Sequence, residues 1–192
     1  MAQLSGFIAT PTNSKHRIFV WLTPDILPDH QVIAFAREDD YFFGVLHSRP
    51  HEVWSLATGT QLREAESGFR YTPTECFRTF PFPWVPGEEP NADSRLQDVE
   101  EAARLLALQR KSWLGTPSSV PGAAAEGRTL TDLYNDRPPW LTLAHTKLDR
   151  AVFACYGWKE NPEDLPEQEM LERLLDLNGH RAGTPVDVQE PR

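Results

Sequence analysis

The chain has 192 residues, 40% of them hydrophobic, with ten Phe and six Trp, so it can bury a real core as one domain or two small ones and is not expected to be disordered throughout. No run of about 18 apolar residues occurs and no basic-then-apolar stretch opens the chain, so neither a membrane span nor a secretory signal is expected. The net charge of −9 argues against a free-standing nucleic-acid binder.

That acidity is unevenly spread. Met1 to Phe80 holds seven Lys and Arg against nine Asp and Glu, whereas Pro81 to Arg192 holds twelve against nineteen. The first part can therefore present a locally basic surface. Two distant cysteines, Cys76 and Cys155, fit a reducing cytoplasm better than a disulfide framework.

Arg17 to Leu22 is β-branched and aromatic and predicts a strand; Gln31 to Ala36 predicts a second. Acidic Glu38–Asp40 then precede an apolar series at helical spacing, which predicts a helix over 41–57, kinked at Pro50 and ended by Gly59. Arg70–Pro73 predicts a short strand entering a turn, and Cys76–Phe80 an extended segment. Pro81-Phe82-Pro83-Trp84 cannot be helix interior, because alternate prolines remove donors and fix φ. Its aromatics are expected to pack across the end of the sheet.

Ser94 to Leu114 predicts a helix capped by Asp93 or Ser94, with Leu96, Val99, Ala103 and Leu106 along one face. Thr116 to Gly127 is small, Pro-rich and Ser-rich, and is expected to connect flexibly. A helical turn over 129–134, a helix started by Pro138 and Pro139 and stopped by Gly157, and a last helix over 163–178 follow. The reading is an α+β fold, with a mixed α/β domain over 1–86, a helical domain over 94–180 and a disordered tail over 181–192.

Catalytic signatures are missing. There is no G-x-G-x-x-G after a strand, no Walker loop and no G-x-S-x-G elbow. His47 and His51, four apart on a predicted helix, can in principle share a metal, but Pro50 distorts that helix and no third ligand is apparent. The preferred reading is a solvated helix face, with no metal in the chain. Asn135-Asp136-Arg137-Pro138-Pro139-Trp140 imitates the Asn/Asp-Pro-Pro-aromatic loop of adenine-N6 methyltransferases, in which a polar side chain accepts from the adenine amino group. Arg137 stands at the acceptor position, and a guanidinium cannot accept a hydrogen bond. A Pro-started helix with Trp140 packed inward is preferred.

The motifs together resemble a known family. Lys15-His16-Arg17-Ile18-Phe19-Val20-Trp21, Phe42-Phe43-Gly44-Val45-Leu46-His47-Ser48-Arg49 with Trp54, Gly59-Thr60-Gln61-Leu62, Phe69-Arg70-Tyr71-Thr72-Pro73 and Phe80-Pro81-Phe82-Pro83 resemble the target-recognition domain of type IIL (or IIG) restriction-modification proteins. Leu130–Asn135, Trp140–His145, Ala151–Ala154 and Tyr156-Gly157-Trp158 resemble the helical tail that follows it. Such proteins fuse a nuclease, an adenine-N6 methyltransferase and a recognition domain, and the two catalytic domains lie ahead of the matching region. The resemblance therefore implies a specificity module for double-stranded DNA that acts with a methyltransferase/endonuclease catalytic chain or survives as a fragment of one. S-adenosylmethionine is expected on that partner and no cofactor on this chain.

Arg can bridge guanine O6 and N7, and Glu can accept from cytosine N4. Gln61, Arg63, Glu64, Glu66 and Arg70 are the base-reading candidates; Lys15, Arg17, Arg49 and Arg78 are the phosphate candidates. The alternative from another class is a protein-interaction or assembly subunit without DNA readout.

Overall fold

The computed structural model describes residues 4–61, 68–115 and 127–182. Strands β1 (Phe7–Pro11), β3 (Val20–Leu22) and β4 (Val32–Phe35) form one antiparallel sheet in the order β3-β1-β4, with Ile8 opposite both Trp21 and Phe35. A second small sheet, in the order β2-β6-β5, joins β2 (Asn13–Ser14), β6 (Phe69–Arg70) and β5 (Thr60–Gln61). The α+β reading holds. The strands expected over 17–22 and 31–36 exist in shorter form, the one expected over 70–73 is β6, which ends at Arg70, and the central strand β1 has no counterpart in the sequence reading. Its apolar run Phe7-Ile8-Ala9 is short and ends at Pro11, which weakens any strand signal.

The single kinked helix expected over 41–57 is two helices, α1 (Asp40–His47) and α2 (Arg49–Thr58), separated by Ser48 in an extended conformation. Pro50 has no N–H to give the carbonyl of Leu46, four residues back, and its ring would collide with it. That carbonyl accepts instead from His51 Nδ1 at 2.8 Å. Asp39 caps α1 by accepting from the Phe42 amide at 2.8 Å.

Every residue of α1 from Tyr41 to His47 is buried. Phe43 stacks on Trp21 of β3 at 5.0 Å, and Phe42 stacks on Phe82 at 5.1 Å. Gly44 lets α3 (Ser94–Leu114) and α5 (Pro139–Tyr156) approach closely: a Cβ there would lie 2.8 Å from Val99 Cγ1 and 3.1 Å from Leu148 Cδ1. Thus α1 is the shared core element, covered by aromatic residues of the sheet and by the C-terminal helices.

Cys76 to Phe80 is not extended. A one-turn π-helix spans Pro73–Phe77, with the Cys76 amide bonded to Thr72 O at 2.7 Å. Phe80 and Phe82 pack on the helices rather than across the sheet end. Phe80 meets His51 edge-on at 4.8 Å, and Phe82 stacks on Phe42 of α1.

The helical half follows its sequence signals closely, with α3 and α5 at the anticipated positions. Between them α4 (Leu130–Asp136) starts with a reciprocal Thr129–Asp132 capping box. Gly157, in the left-handed region at φ 75°, ends α5. The last helix, α6 (Glu167–Ala182), begins after Pro166 rather than at Glu163 and runs through Gly179. Arg181 of α6 donates to Phe82 O at 2.6 Å and to Pro83 O at 3.0 Å, and Tyr156 Oη donates to Pro81 O at 2.8 Å. The buried cluster is continuous across residues 86–94, where the composition changes. Of the flexible connection expected over 116–127, residues 116–126 lie outside the described residues; of the disordered tail expected over 181–192, Arg181 and Ala182 instead end α6, and residues 183–192 lie outside the described residues. Among the described residues no helix is long and apolar enough to cross a membrane.

Candidate nucleic-acid interface

Of the base-reading candidates, Arg70 lies on β6 of the small β2-β6-β5 sheet, and the backbone of Gln61 lies on β5. Chain reversal between β5 and β6 leaves α2 at Gly59 and re-enters at Gly68. Gly59 is tight: a Cβ there would lie 2.9 Å from both Arg70 O and Phe69 Cδ2. Gly68 is at φ 74°, and a Cβ there would lie 2.1 Å from Ser14 O. Both ends of the connection are thus fixed against backbone.

Arg70 lies exposed on β6, with Asn13 opposite it on β2 and Thr60 opposite it on β5. A groove of about 640 Å³ runs beside it, lined by Asn13, Asp29, His30, Gln31, Val32 and Arg70. Asn and Gln present the donor–acceptor pair that matches an adenine edge, and Arg the two donors that match guanine. Asn13, His30 and Gln31 were missed in the sequence, because their neighbourhood depends on β1 and β2 pairing with distant strands. Gln31 is brought in by the Thr12 amide, which bonds to its carbonyl at 2.7 Å.

The other candidates divide. Arg63, Glu64 and Glu66 lie outside the described residues; Gln61 pairs with Phe69 through its backbone, and its side chain is likewise outside them. Lys15 is exposed, and its Nζ donates to Asn135 Oδ1 at 2.7 Å. Arg78 is exposed beyond the π-helix.

Arg17 and Arg49 depart from the expected phosphate role. Arg17 lies over the Phe69 and Tyr71 rings, at 4.8 and 5.0 Å, and donates to Phe69 O at 3.2 Å and Thr10 Oγ1 at 3.1 Å as well as to Pro11 O. Burial lowers its pKa to about 10. Arg49 donates to Pro162 O and, at 3.3 Å, to Leu165 O. Both guanidinium groups are occupied by internal carbonyls and act as clamps.

His47 and His51 are not on a solvated face. They are 7% and 0% exposed. His47 Nε2 accepts from the Phe19 amide at 3.1 Å and from Arg110 Nη1 at 2.8 Å, so the proton sits on Nδ1, which donates to Phe43 O at 3.1 Å. His51 bonds to Leu46 O and, at 3.0 Å, to Tyr71 Oη. The nitrogens that a metal would need are occupied, and among the described residues no group of three or more His, Cys, Asp or Glu is arranged to hold one. Arg137 takes the left-handed region at φ 41° as the C-cap of α4, and Pro139 starts α5. The Asn135–Trp140 stretch is therefore a helix junction.

Burial predicts an acid response. It lowers His51 to about 3 and His145 to about 4, and pushes His47 well below its ordinary value. Each binds a proton near pH 6.5 when unfolded but not when folded, so each loses stabilising effect as pH falls through that value. Asp149, raised by burial to about 7, acts oppositely. Glu52, also raised by burial, acts in the same sense as Asp149, but the three histidines outweigh the two carboxyls, so stability is expected to fall from pH 6 to pH 5. Urea titrations at those pH values should show it; equal midpoints would contradict the buried neutral histidines.

Residues 5–84 match the family model of the MmeI target recognition domain. In fold the chain is similar to the type IIL restriction-modification enzyme MmeI, solved in complex with DNA, with a TM-score of 0.72 and 24% identity over 94% of this chain. The chain spans 22% of that protein's length. No curated protein matches the sequence. The family resemblance read from the sequence is thereby borne out by the family model over residues 5–84, and the likeness in fold extends over nearly the whole chain.

Proposed function

We propose that the chain is the DNA sequence-recognition module of an adenine-modifying restriction-modification system. It works with a methyltransferase/endonuclease chain that carries catalysis and S-adenosylmethionine, a reading that places it in the cytoplasm. The observation that carries this is the match of residues 5–84 to a target recognition domain, whose β2-β6-β5 sheet exposes Arg70 beside Asn13 and Gln31. These side chains have base-edge chemistry, whereas the chain's net charge of −9 opposes phosphates. Specificity then resides here, and the electrostatic hold on the duplex comes mainly from the partner.

Charge reversal tests this. Arg70→Glu combined with Arg63→Glu is expected to weaken DNA binding about 100-fold in low-salt titrations, since each guanine-type pairing is worth about 1–3 kcal/mol. Association with the catalytic chain should be unchanged. Unaltered DNA binding, or lost association, would support an assembly subunit instead.

A further inference from the structure

We propose that the C-terminal helices belong to the reading unit, and that Asp149 of α5 is a positioning residue that aims the β5–β6 hairpin by capping α2 from outside. This rests on the DNA-reading role of that hairpin. Ser48 holds the capping position of α2, but its hydroxyl bonds back to Val45 O at 2.7 Å and gives α2 no side-chain cap. Asp149 Oδ1 takes that place, accepting from the Arg49 amide at 2.7 Å across 100 residues of sequence. The Arg49 guanidinium grips the carbonyls of Pro162 and Leu165, so the same residue is held twice by the helical half.

Orientation of α2 reaches the hairpin by two rigid contacts. His51 of α2 bonds to Tyr71, the residue after β6, and Gly59 at the end of α2 abuts the backbone of Arg70. The path α5–α2–β6 contains no intervening loop. Its first contact, between Asp149 and Arg49, borders a cavity of about 500 Å³ whose walls also include Glu52, Tyr134, Arg137 and His145. Burial raises the Asp149 carboxyl to about 7, so a neutral amide here keeps the acceptor while removing a desolvated charge.

Amide hydrogen exchange on the full chain, with Asp149→Ala and Asp149→Asn, tests this. Asp149→Ala is expected to speed exchange about five- to tenfold in peptides covering residues 49–52, 58–61 and 68–72, the factor that a lost helix cap gives, while α3 exchanges as before. Asp149→Asn should restore protection, because its amide oxygen still accepts from Arg49. In DNA titrations with the catalytic chain, Asp149→Ala should reduce the ratio of target to non-target affinity about tenfold and Asp149→Asn should not. Unchanged hairpin exchange in Asp149→Ala, equal acceleration throughout α3, or failure of Asp149→Asn to restore protection would overturn the proposal. Exchange is read without DNA, so absence of any DNA binding would sink the recognition reading and leave this coupling standing.

Discussion

Replacing His47 with Leu is expected to destabilise the fold by about 4 kcal/mol and lower its melting temperature by about 10 °C. The reason is the buried cation beside it. Arg110 is 4% exposed and donates to His47 Nε2 and to Phe19 O, each at 2.8 Å. Removing the imidazole strands one guanidinium nitrogen and the Phe19 amide in an apolar surround, and a buried polar group without a partner costs far more than its hydrogen bond contributes. Adding Arg110→Met should recover part of the loss, because the double variant no longer buries the charge. Thermal unfolding of the wild type, both single variants and the double variant measures this. Equal melting temperatures for wild type and His47→Leu would mean that Arg110 is not held as the geometry shows.

Substituting Gly68 with Val should abolish sequence preference, with a loss of at least about 100-fold in the ratio of target to non-target affinity. Two effects coincide. The residue sits at φ 74°, where a β-branched side chain is strained, and its Cβ would meet Ser14 O at 2.1 Å and Lys15 N at 2.6 Å. Both obstacles are backbone, so relief requires β2 to leave β6 and carries Asn13 away from Arg70. Gly68 itself lies outside the buried cluster, which reaches this edge only through Phe69 and Tyr71, so the melting temperature should fall by less than in His47→Leu. A Gly68→Val protein with wild-type preference would show that pairing of β2 with β6 is irrelevant to reading.

Legibility in the sequence followed the range of the interactions. Helices α3 and α5 could be placed almost to the residue, because their signals are local: an Asp93 cap, Pro139 at a first turn, Gly157 at a stop. The division of α1 from α2 was visible only as a kink at Pro50, since Ser48's return bond to Val45 depends on chain geometry. Strand β1 and the pairing of Asn13 with Arg70 were invisible, because a strand of five residues and another of two acquire meaning only from distant partners. Arg17 and Arg49 read as surface cations for the same reason. Nothing local announces that carbonyls of Phe69, Pro162 and Leu165 will converge on them. His47 and His51 looked solvated because their spacing was seen but not the aromatic rings that cover them.

The family resemblance reached further than any single motif, since the order of weak pieces along the chain is itself information. The same comparison bounds the conclusion: this chain covers 22% of the enzyme it resembles in fold. On the proposed reading catalysis lies with a partner chain, and the net charge of −9 makes that partner necessary for tight binding.

A gel-shift titration of this chain at low and at physiological salt, with and without the proposed methyltransferase partner, tests the central claim most directly. Weak binding alone, converted by the partner into tight binding that distinguishes target from non-target duplex, is the predicted result. Tight, sequence-specific binding by the chain alone would contradict the need for a partner, and no DNA binding even with the partner would contradict the recognition role itself.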